Sequence, residues 1–197
     1  MSAADRRDKL VDAAIAVMSR DGVASTTTRA IVAEAGMQIG VFHYCFRSKD
    51  ELIGEVARTI NNRSFEAVGD VLARSSDPAE LIRGCVDAYW QRIEQEPLEH
   101  LLIFELTHFA LRQAGWDSAA RAQRDSNVDA VRALLTEIAE KGSLTWRSPM
   151  DLLARYVLAT IEGITFQWLV QRDEACAKEL FAKLVEWLYD EAGLPPR

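Results

Sequence analysis

Apolar residues recur at helical spacing along most of the chain, and this pattern limits the fold more than any other feature of the sequence. In residues 10–18, for example, apolar residues stand at positions i, i+3, i+4, i+7 and i+8, which lie on one face of a helix. An all-β chain needs many turns, whereas these 197 residues include only 10 Gly and 5 Pro. We therefore predict an all-α protein of about nine helices.

Residues that commonly cap helices mark several of the predicted helix ends. Gly22 follows the first helix and can adopt the left-handed conformation of a helix C-terminus. Ser48 and Glu51 have the spacing of a capping box, in which each side chain bonds the other residue's main-chain N–H. This box predicts a long helix directly after Ser48. The last two helices are expected at Met150–Gln171 and Glu174–Tyr189.

Two short helices are predicted between residues 27 and 46, joined by the turn Gly36-Met37-Gln38. Such a short, glycine-containing turn is typical of a helix-turn-helix, in which the second helix enters the major groove of DNA. Four apolar residues can form a small core, namely Ile31, Ala35, Phe42 and Phe46. The opposite face of the second helix would then be free and would carry Gln38, Ile39, Val41, Tyr44 and Cys45, beside Gly40. The pattern is also compatible with an ordinary helical hairpin.

The charges are distributed unevenly along the chain. Residues 1–49 carry a net charge of +2, whereas the other 148 residues carry −9, within a total of −7. A locally basic segment in an acidic chain fits nucleic-acid binding that is confined to that segment. The asymmetry is equally compatible with ordinary variation of surface charge.

Several classes of function lack their sequence signals. The chain has no P-loop, G-x-G-x-x-G or G-x-S-x-G motif, so we expect no enzyme activity and no cofactor. His100, Glu105 and His108 could suggest a metal site, but His100 falls on another part of the helix surface, and no second Glu-x-x-His exists. We therefore expect no metal. The most apolar long stretch, residues 152–170, contains two charged residues and is too polar for a membrane span.

The chain opens without the charged-then-apolar pattern of a signal peptide, and its three cysteines form no C-x-x-C pair. Both observations predict a cytoplasmic protein with reduced thiols. We interpret Cys45 as an inert thiol, with a redox switch as the alternative.

The stretch TTTRAIVAEAGMQIGVFHYCFRSKDEL, residues 26–52, resembles the DNA-binding signature of the TetR family of transcriptional regulators. The resemblance extends over about residues 5–60 and includes the cap, the turn, the core and the start of the next helix. It implies a helix-turn-helix domain at residues 1–48 and a helical effector-binding and dimerisation domain at residues 49–197. It also implies three partners, which are double-stranded DNA, a small-molecule effector and a second copy of the chain.

Carried over position by position, the resemblance implies roles in DNA binding for ten residues. Thr27 would cap the second helix, and Thr28 and Lys49 would contact phosphates. Arg29 lies where some members of the family reach a base or a phosphate. The recognition positions are Gln38, Ile39, Gly40, Val41, His43 and Tyr44.

Two recognition positions depart from the family pattern. Val41 stands where Thr is usual and can offer only apolar contact, for example to a thymine methyl group. His43 stands where Tyr is usual, and its shorter side chain either contacts a phosphate or serves as an ordinary packing or surface histidine.

Large side chains are frequent in residues 76–172, and the simplest explanation for any one of them is the core. Polar residues among them at positions that can face inward suggest a pocket between helices, because such sites are mostly apolar with a few orienting polar groups. The candidate effector-binding residues are Tyr89, Phe104, Thr107, His108, Arg112, Trp116, Asn127, Thr160 and Trp168.

The resemblance further implies that the last two helices pair with those of a second copy across a two-fold axis. The candidate interface residues are Tyr156, Gly163, Trp168, Leu180, Leu184 and Trp187. Packing within one chain is the alternative for all six. A symmetric dimer would read a near-palindromic operator.

We therefore expect a ligand-responsive repressor that binds its operator as a dimer and is released by a small, largely apolar effector. The alternative is a helical small-molecule binding or carrier protein that no longer binds DNA. Val41, His43 and the acidic total charge favour this alternative.

Overall fold

The computed structural model describes residues 1–112 and 117–195, and this part of the chain contains nine helices and no strand, as predicted. The helices are α1 (Ala3–Asp21), α2 (Thr28–Glu34), α3 (Ile39–Cys45), α4 (Lys49–Arg74), α5 (Pro78–Gln95), α6 (Pro97–Arg112), α7 (Asp117–Gly142), α8 (Met150–Gln171) and α9 (Glu174–Glu191). The bounds of α8 agree with the prediction at both ends, and α9 ends two residues later than predicted.

The turn after α1 has a positive φ at its glycine, but with a ψ of +156° Gly22 is not in the left-handed helical conformation that we predicted. Gly22 has a φ of +82°, which residues with a side chain rarely adopt, and its N–H donates to the carbonyl of Met18 at 2.8 Å. Val23 is fully buried directly after it. Thr27 is the N-cap of α2, because its hydroxyl oxygen accepts the N–H of Ala30 at 3.1 Å.

The capping box predicted at the start of α4 is only half formed. The Ser48 hydroxyl oxygen accepts the N–H of Glu51 at 3.1 Å, as expected. The Glu51 carboxylate, however, accepts the N–H of Arg47 at 2.9 Å. Its other oxygen accepts hydrogen bonds from the Arg7 guanidinium, which draws the carboxylate away from the main chain of Ser48.

The chain forms two compact units, Met1–Asn62 with Leu98–Arg121, and Arg63–Pro97 with Ala122–Arg197. The first unit contains α1, α2, α3, the first part of α4 and nearly all of α6. Its core includes Leu10, Met18, Ile31, Phe42, Phe46, Leu52, Ile60, Leu102 and Leu106. The unit therefore extends beyond residues 1–48, because apolar residues of α4 and α6 complete this core. The functional boundary after residue 48 stays a prediction.

The second unit contains the rest of α4 together with α5, most of α7, α8 and α9. Its core includes Val68, Leu81, Ile82, Trp90, Val128, Leu135, Leu153, Trp168, Phe181 and Leu188. Two of its buried polar groups are satisfied by main-chain carbonyls, since Trp146 donates to Leu135 and Tyr189 donates to Ala79, both at 3.0 Å. Among the described helices, none is long and apolar enough to cross a membrane.

Candidate functional site

Helices α2 and α3 form the helix-turn-helix that the sequence predicts. The four residues of its predicted core, Ile31, Ala35, Phe42 and Phe46, are all buried. Gly36 has a φ of +65° in the turn between the helices, and the N–H of Met37 donates to the carbonyl of Val32 at 2.8 Å. The turn is therefore closed by the main chain, and the glycine supplies the conformation that it requires.

The outer face of α3 is open to solvent. The exposed residues at the predicted recognition positions are Gln38, Ile39, Gly40, His43 and Tyr44. Tyr44 has 71% of its surface exposed, and a Cβ added at Gly40 would meet no atom within 4 Å. Val41 is half-buried against the core of the first unit. The fold thus brings all six predicted recognition residues onto α3 or its N-cap, with Val41 the least available of them.

The first turn of α2 carries the other predicted contacts. Thr27 and Arg29 are exposed, and Thr28 is half-buried. Of these three residues, only Thr27 has a structural role among the described contacts, because it is the N-cap of α2. Arg29 therefore presents its guanidinium to solvent beside the cap.

Lys49 is turned toward the loop between α1 and α2. Its Nζ donates to the carbonyls of Thr26 at 2.5 Å and Val23 at 3.3 Å. An ammonium group has three protons, so two bonds to carbonyls leave one for a further acceptor. Lys49 supports this loop, and the predicted contact with a phosphate stays a prediction.

Glu105 of α6 holds the same loop through a second contact. Its Oε1 accepts the main-chain N–H of the buried Val23 at 2.7 Å. This role could not be predicted from the sequence, because the partner is a main-chain group 82 positions away. Among the described residues, no group of three or more His, Cys, Asp or Glu side chains is arranged to hold a metal ion.

The second unit contains an apolar cavity of about 50 Å³. Five helices and the connection between α7 and α8 line it, with Phe65, Val68, Ile82, Cys85, Val86, Tyr89, Val131, Leu134, Leu135, Ile138, Trp146, Val157, Leu158, Ile161 and Leu188. No charged side chain is among them. The cavity has room for a few water-sized groups, whereas sites for drug-sized ligands usually measure about 300–1,000 Å³.

Two polar side chains in the lining remain neutral at ordinary pH. Burial raises the pKa of the Cys85 thiol to about 12, and the nearby negative charge of Glu137 adds to the effect. Burial also raises the pKa of the Tyr89 hydroxyl, helped by the negative charge of Glu162. Both groups can therefore meet a ligand only as uncharged hydrogen-bonding partners.

One of the predicted effector residues, Tyr89, lines this cavity. Four others lie on α6 in the first unit, where Thr107, His108 and Arg112 are exposed and Phe104 is half-buried. Asn127, Thr160 and Trp168 lie in the second unit but not in the cavity lining, and Trp168 packs edge-to-face on Trp90 at 5.2 Å. Trp116 lies outside the described residues. The sequence analysis did not predict other cavity residues, such as Cys85 and Val131. Their helical spacing indicates only that they are buried, not that they border a cavity.

Helix α8 presents an apolar stripe to solvent. Its exposed members are Leu152, Tyr156, Ala159, Gly163, Phe166 and Val170, which recur every three or four residues. The Tyr156 ring packs on the half-buried Trp187 of α9, with ring centroids 4.3 Å apart. Of the other predicted interface residues, Leu180 is half-buried, whereas Trp168 and Leu184 are already buried in the core of the unit.

Comparison with known proteins agrees with this architecture. Residues 10–56 match the family described as "Bacterial regulatory proteins, tetR family". The chain is 28% identical to the nicotine-responsive transcriptional repressor HdnoR of Paenarthrobacter nicotinovorans, over 98% of this chain and 99% of that protein. It is 30% identical to the transcriptional repressor KstR2 of Mycobacterium tuberculosis, over 83% of this chain and 80% of that protein.

A solved structure of a TetR-family regulator from Rhodococcus sp. has the same fold, with a TM-score of 0.79, 16% identity and coverage of 96% of this chain and 99% of that one. The alternative of a carrier that no longer binds DNA finds no support among these relatives, which are repressors. The chain therefore belongs to the TetR family: it is a ligand-responsive, DNA-binding transcriptional regulator and not an enzyme.

Proposed function

We propose that two copies of this chain repress transcription by binding a near-palindromic operator, with α3 of each copy in a major groove. The observation that carries the proposal is the open face of α3, where Ile39, His43 and Tyr44 are exposed to solvent. Because α3 has only seven residues, one copy can contact few bases. Two symmetric copies would double those contacts and match two half-sites about one helical turn apart.

Residues on and beside this face divide into base-reading and positioning groups. Gln38 and Tyr44 can form hydrogen bonds to base edges, whereas Ile39 can contact a thymine methyl group. Thr28 and Arg29, on the first turn of α2, would bind phosphates and fix the register of the protein on the duplex. The half-buried position of Val41 favours a minor apolar contact.

We further propose that the apolar stripe of α8 (Leu152, Tyr156, Ala159, Gly163, Phe166 and Val170), together with Trp187 and Leu180 of α9, forms the dimer interface. A continuous row of exposed apolar residues is unfavourable in water and is typical of a surface that a partner covers. Gly163 supports close approach, because space is open where its Cβ would be. Trp168 and Leu184 would act indirectly, by supporting the two helices from inside the core.

The effector would enter the apolar cavity of the second unit. Since that cavity measures only about 50 Å³, a molecule with more than a few heavy atoms must widen it. Phe65 and Val68 of α4 are in the lining, and α4 begins at Lys49, directly after the helix-turn-helix in the sequence. A ligand that displaces α4 would change the separation of the two recognition helices and weaken operator binding.

The absence of charge from the described lining favours an effector that binds in its neutral form. An unpaired charge in such a cavity would lose its hydration without compensation. The relative HdnoR is described as nicotine-responsive, and nicotine is an aromatic molecule with a basic nitrogen. We therefore take nicotine as a first probe and expect its neutral form to bind, so that affinity rises with pH until the amine is fully deprotonated.

The repressor would act in the cytoplasm, with DNA binding in residues 1–48 and effector binding in residues 49–197.

A selection of duplexes from a random DNA library tests the function directly. We expect enrichment of a near-palindrome and a complex of two chains per duplex. Tyr44→Ala should change the selected bases, and Arg29→Ala should weaken binding to all sequences, with a smaller salt dependence. Lys183→Ala on α9 removes one positive charge outside the motif and serves as the control. Recovery of no enriched sequence would refute the proposal.

A further inference from the structure

Arg7 lies in the first half of α1 and makes contacts with two other helices of the first unit. One terminal nitrogen donates to the carbonyl of Cys45 at 2.6 Å and to Oε1 of Glu51 at 3.2 Å. The other donates to the same Glu51 oxygen and to Oε2 of Glu55, both at 3.2 Å. The guanidinium also lies 4.1 Å above the centre of the Phe46 ring. One side chain thus joins α1 to the end of α3 and to the start of α4.

The end of α3 needs such a partner. The last carbonyls of a helix have no partner within it, and Cys45 is the last residue of α3. Arg7 donates to that carbonyl, while the ring beneath the guanidinium belongs to Phe46, the buried C-cap residue of the same helix. At the other end of α3, Gln38 makes no side-chain capping bond and is exposed. Arg7 therefore bonds the main chain at the C-terminal end of α3, whereas the N-cap residue at the other end makes no side-chain capping bond.

The charge of Arg7 is neutralised within the protein. Its guanidinium faces the carboxylates of Glu51 and Glu55, and Glu55 also pairs with Arg58. Two positive and two negative side chains therefore meet in this cluster. By sequence alone Arg7 belongs to the locally basic segment and could be counted as a phosphate contact. Its geometry instead commits its donors to partners inside the first unit.

We propose that Arg7 is a positioning residue for DNA reading, which sets the direction of α3 by holding its C-terminal end and does not itself contact DNA. The inference rests on the proposed role of α3 as the recognition helix. A recognition helix that loses this anchor would still carry its side chains but would present them at a variable angle. Contacts to base edges depend on that angle, whereas attraction to the phosphate backbone depends on net charge.

Substitution of Arg7 by lysine distinguishes a positioning role from an effect of the positive charge alone. Arg7→Lys keeps the positive charge but cannot reproduce the planar fork that reaches the Cys45 carbonyl and both carboxylates together. We expect its affinity for the duplex selected by the wild-type protein to fall, by about tenfold where DNA binding must restore the order that one charge-assisted hydrogen bond gives to α3. Its affinity for poly(dI-dC) and the slope of log affinity against log salt should match the wild type. The amide resonances of Cys45 and Phe46 should shift.

Arg7→Met removes the positive charge of Arg7 altogether. Its matched control is Arg6→Met, which removes one positive charge at the preceding residue. Arg6→Met should weaken both DNAs similarly, whereas Arg7→Met should lower the preference for the selected duplex over poly(dI-dC). Glu51→Gln keeps the size of the partner and gives a third variant if Arg7→Met does not fold. All affinities are calculated from the concentration of folded protein.

Three outcomes would overturn the inference, and each differs from failure of the proposed function. The first is an Arg7→Lys protein that binds the selected duplex like the wild type. The second is an Arg7→Met protein whose salt slope is smaller by about 1 per chain, as loss of a phosphate contact would make it. The third is a loss of thermal stability in the variants with no change in DNA binding. If the wild type selects no duplex at all, the proposed function itself fails.

Discussion

Glu105 of α6 accepts the main-chain N–H of Val23 at 2.7 Å, and so fixes the loop that leads into the helix-turn-helix. The carbonyl of the same Val23 accepts Nζ of Lys49 at 3.3 Å. Both polar main-chain groups of one buried residue are therefore satisfied by side chains from two different helices. This arrangement ties α4 and α6 to the start of α2 within the first unit.

Removing the Glu105 carboxylate should destabilise the first unit. Glu105→Ala leaves the N–H of the buried Val23 without its partner, which should cost about 1–3 kcal/mol of unfolding free energy. Glu105→Gln keeps an oxygen acceptor and should cost much less. Urea unfolding of both variants measures the difference. An exposed position on the same helix, Thr107→Ala, is the control, and equal stability of Glu105→Ala and this control would contradict the assigned role.

Gly22 and Gly40 should respond differently to the same substitution. Gly22→Ala forces a side chain into a φ of +82° and ψ of +156°, a region almost confined to glycine, at a cost of about 1–3 kcal/mol. Thermal unfolding with calorimetry should show this loss. The nearest atom, Oε1 of Glu105, would lie 3.4 Å from the new methyl group, so the cost arises from the main chain rather than from a clash.

Gly40→Ala should leave stability unchanged or slightly raised, because residue 40 is helical and its Cβ would meet open space. Its affinity for the selected duplex should nevertheless fall, since the added methyl group stands on the proposed DNA-facing surface. Anisotropy titration of a labelled duplex measures this. Undiminished affinity of a folded Gly40→Ala protein would place the DNA elsewhere.

The cluster around Arg7 should make stability depend on pH in the acid range. A hydrogen bond from the N–H of Arg47, with those from Arg7, holds the pKa of Glu51 below its usual value of 4.5. Burial alone would raise the pKa of Glu55, but hydrogen bonds from Arg58 and Arg7 outweigh it and lower this pKa too. Lowered folded-state pKa values mean that the stabilisation is present above the unfolded-state pKa and is lost as pH falls through the folded-state values.

Arg7→Met is therefore expected to be less stable than the wild type at pH 7, and the difference should shrink as pH falls below about 4.5, where the carboxylates become protonated. Chemical unfolding of both proteins at a series of pH values provides the comparison. A difference that stays constant down to pH 3 would show that packing on Phe46, and not the ion pairs, supplies the stabilisation.

Val170→Asp should yield a folded monomer. Val170 belongs to the apolar stripe of α8 and has 68% of its surface exposed, so a carboxylate there is tolerated in a single chain but not within an apolar interface. Trp168→Asp should instead unfold the second unit, because Trp168 is buried against Trp90. Sedimentation and circular dichroism distinguish the two results. Ala133→Glu on α7 controls for an added surface charge, and a dimeric Val170→Asp protein would exclude this stripe as the interface.

Sequence periodicity predicted the helices well because burial repeats with the helical period. It also placed Ile39 and Tyr44 on the outer face of α3, opposite the buried Phe42. It could not predict the roles of Glu105 or Arg7, because their partners lie far away in the sequence and include main-chain groups, which carry no sequence signal. The cavity was equally hidden. A buried face looks the same in sequence whether it fills the core completely or borders a void, so Tyr89 was found and Val131 was not.

Filling the cavity should separate effector response from DNA binding. Val131 lines the cavity, and Val131→Ile adds one methylene group that the void can accept with little loss of stability. Val128 is also buried on α7 but is not part of the lining, so Val128→Ile must overpack the core, at a cost of about 1–3 kcal/mol. Both substitutions have the same chemistry, and only their surroundings differ.

Val131→Ile should bind the selected duplex like the wild type but need more nicotine for release. Linkage requires the reciprocal effect in the wild type, in which the duplex weakens nicotine binding by the same factor by which nicotine weakens duplex binding. Calorimetry of nicotine with and without the duplex measures this factor. Nicotine affinity should also rise with pH as its amine loses its proton. If nicotine binds the wild type and Val131→Ile equally well and releases both from the duplex, the effector does not occupy this cavity. If nicotine binds neither protein, a panel of neutral aromatic compounds replaces it in the same titration.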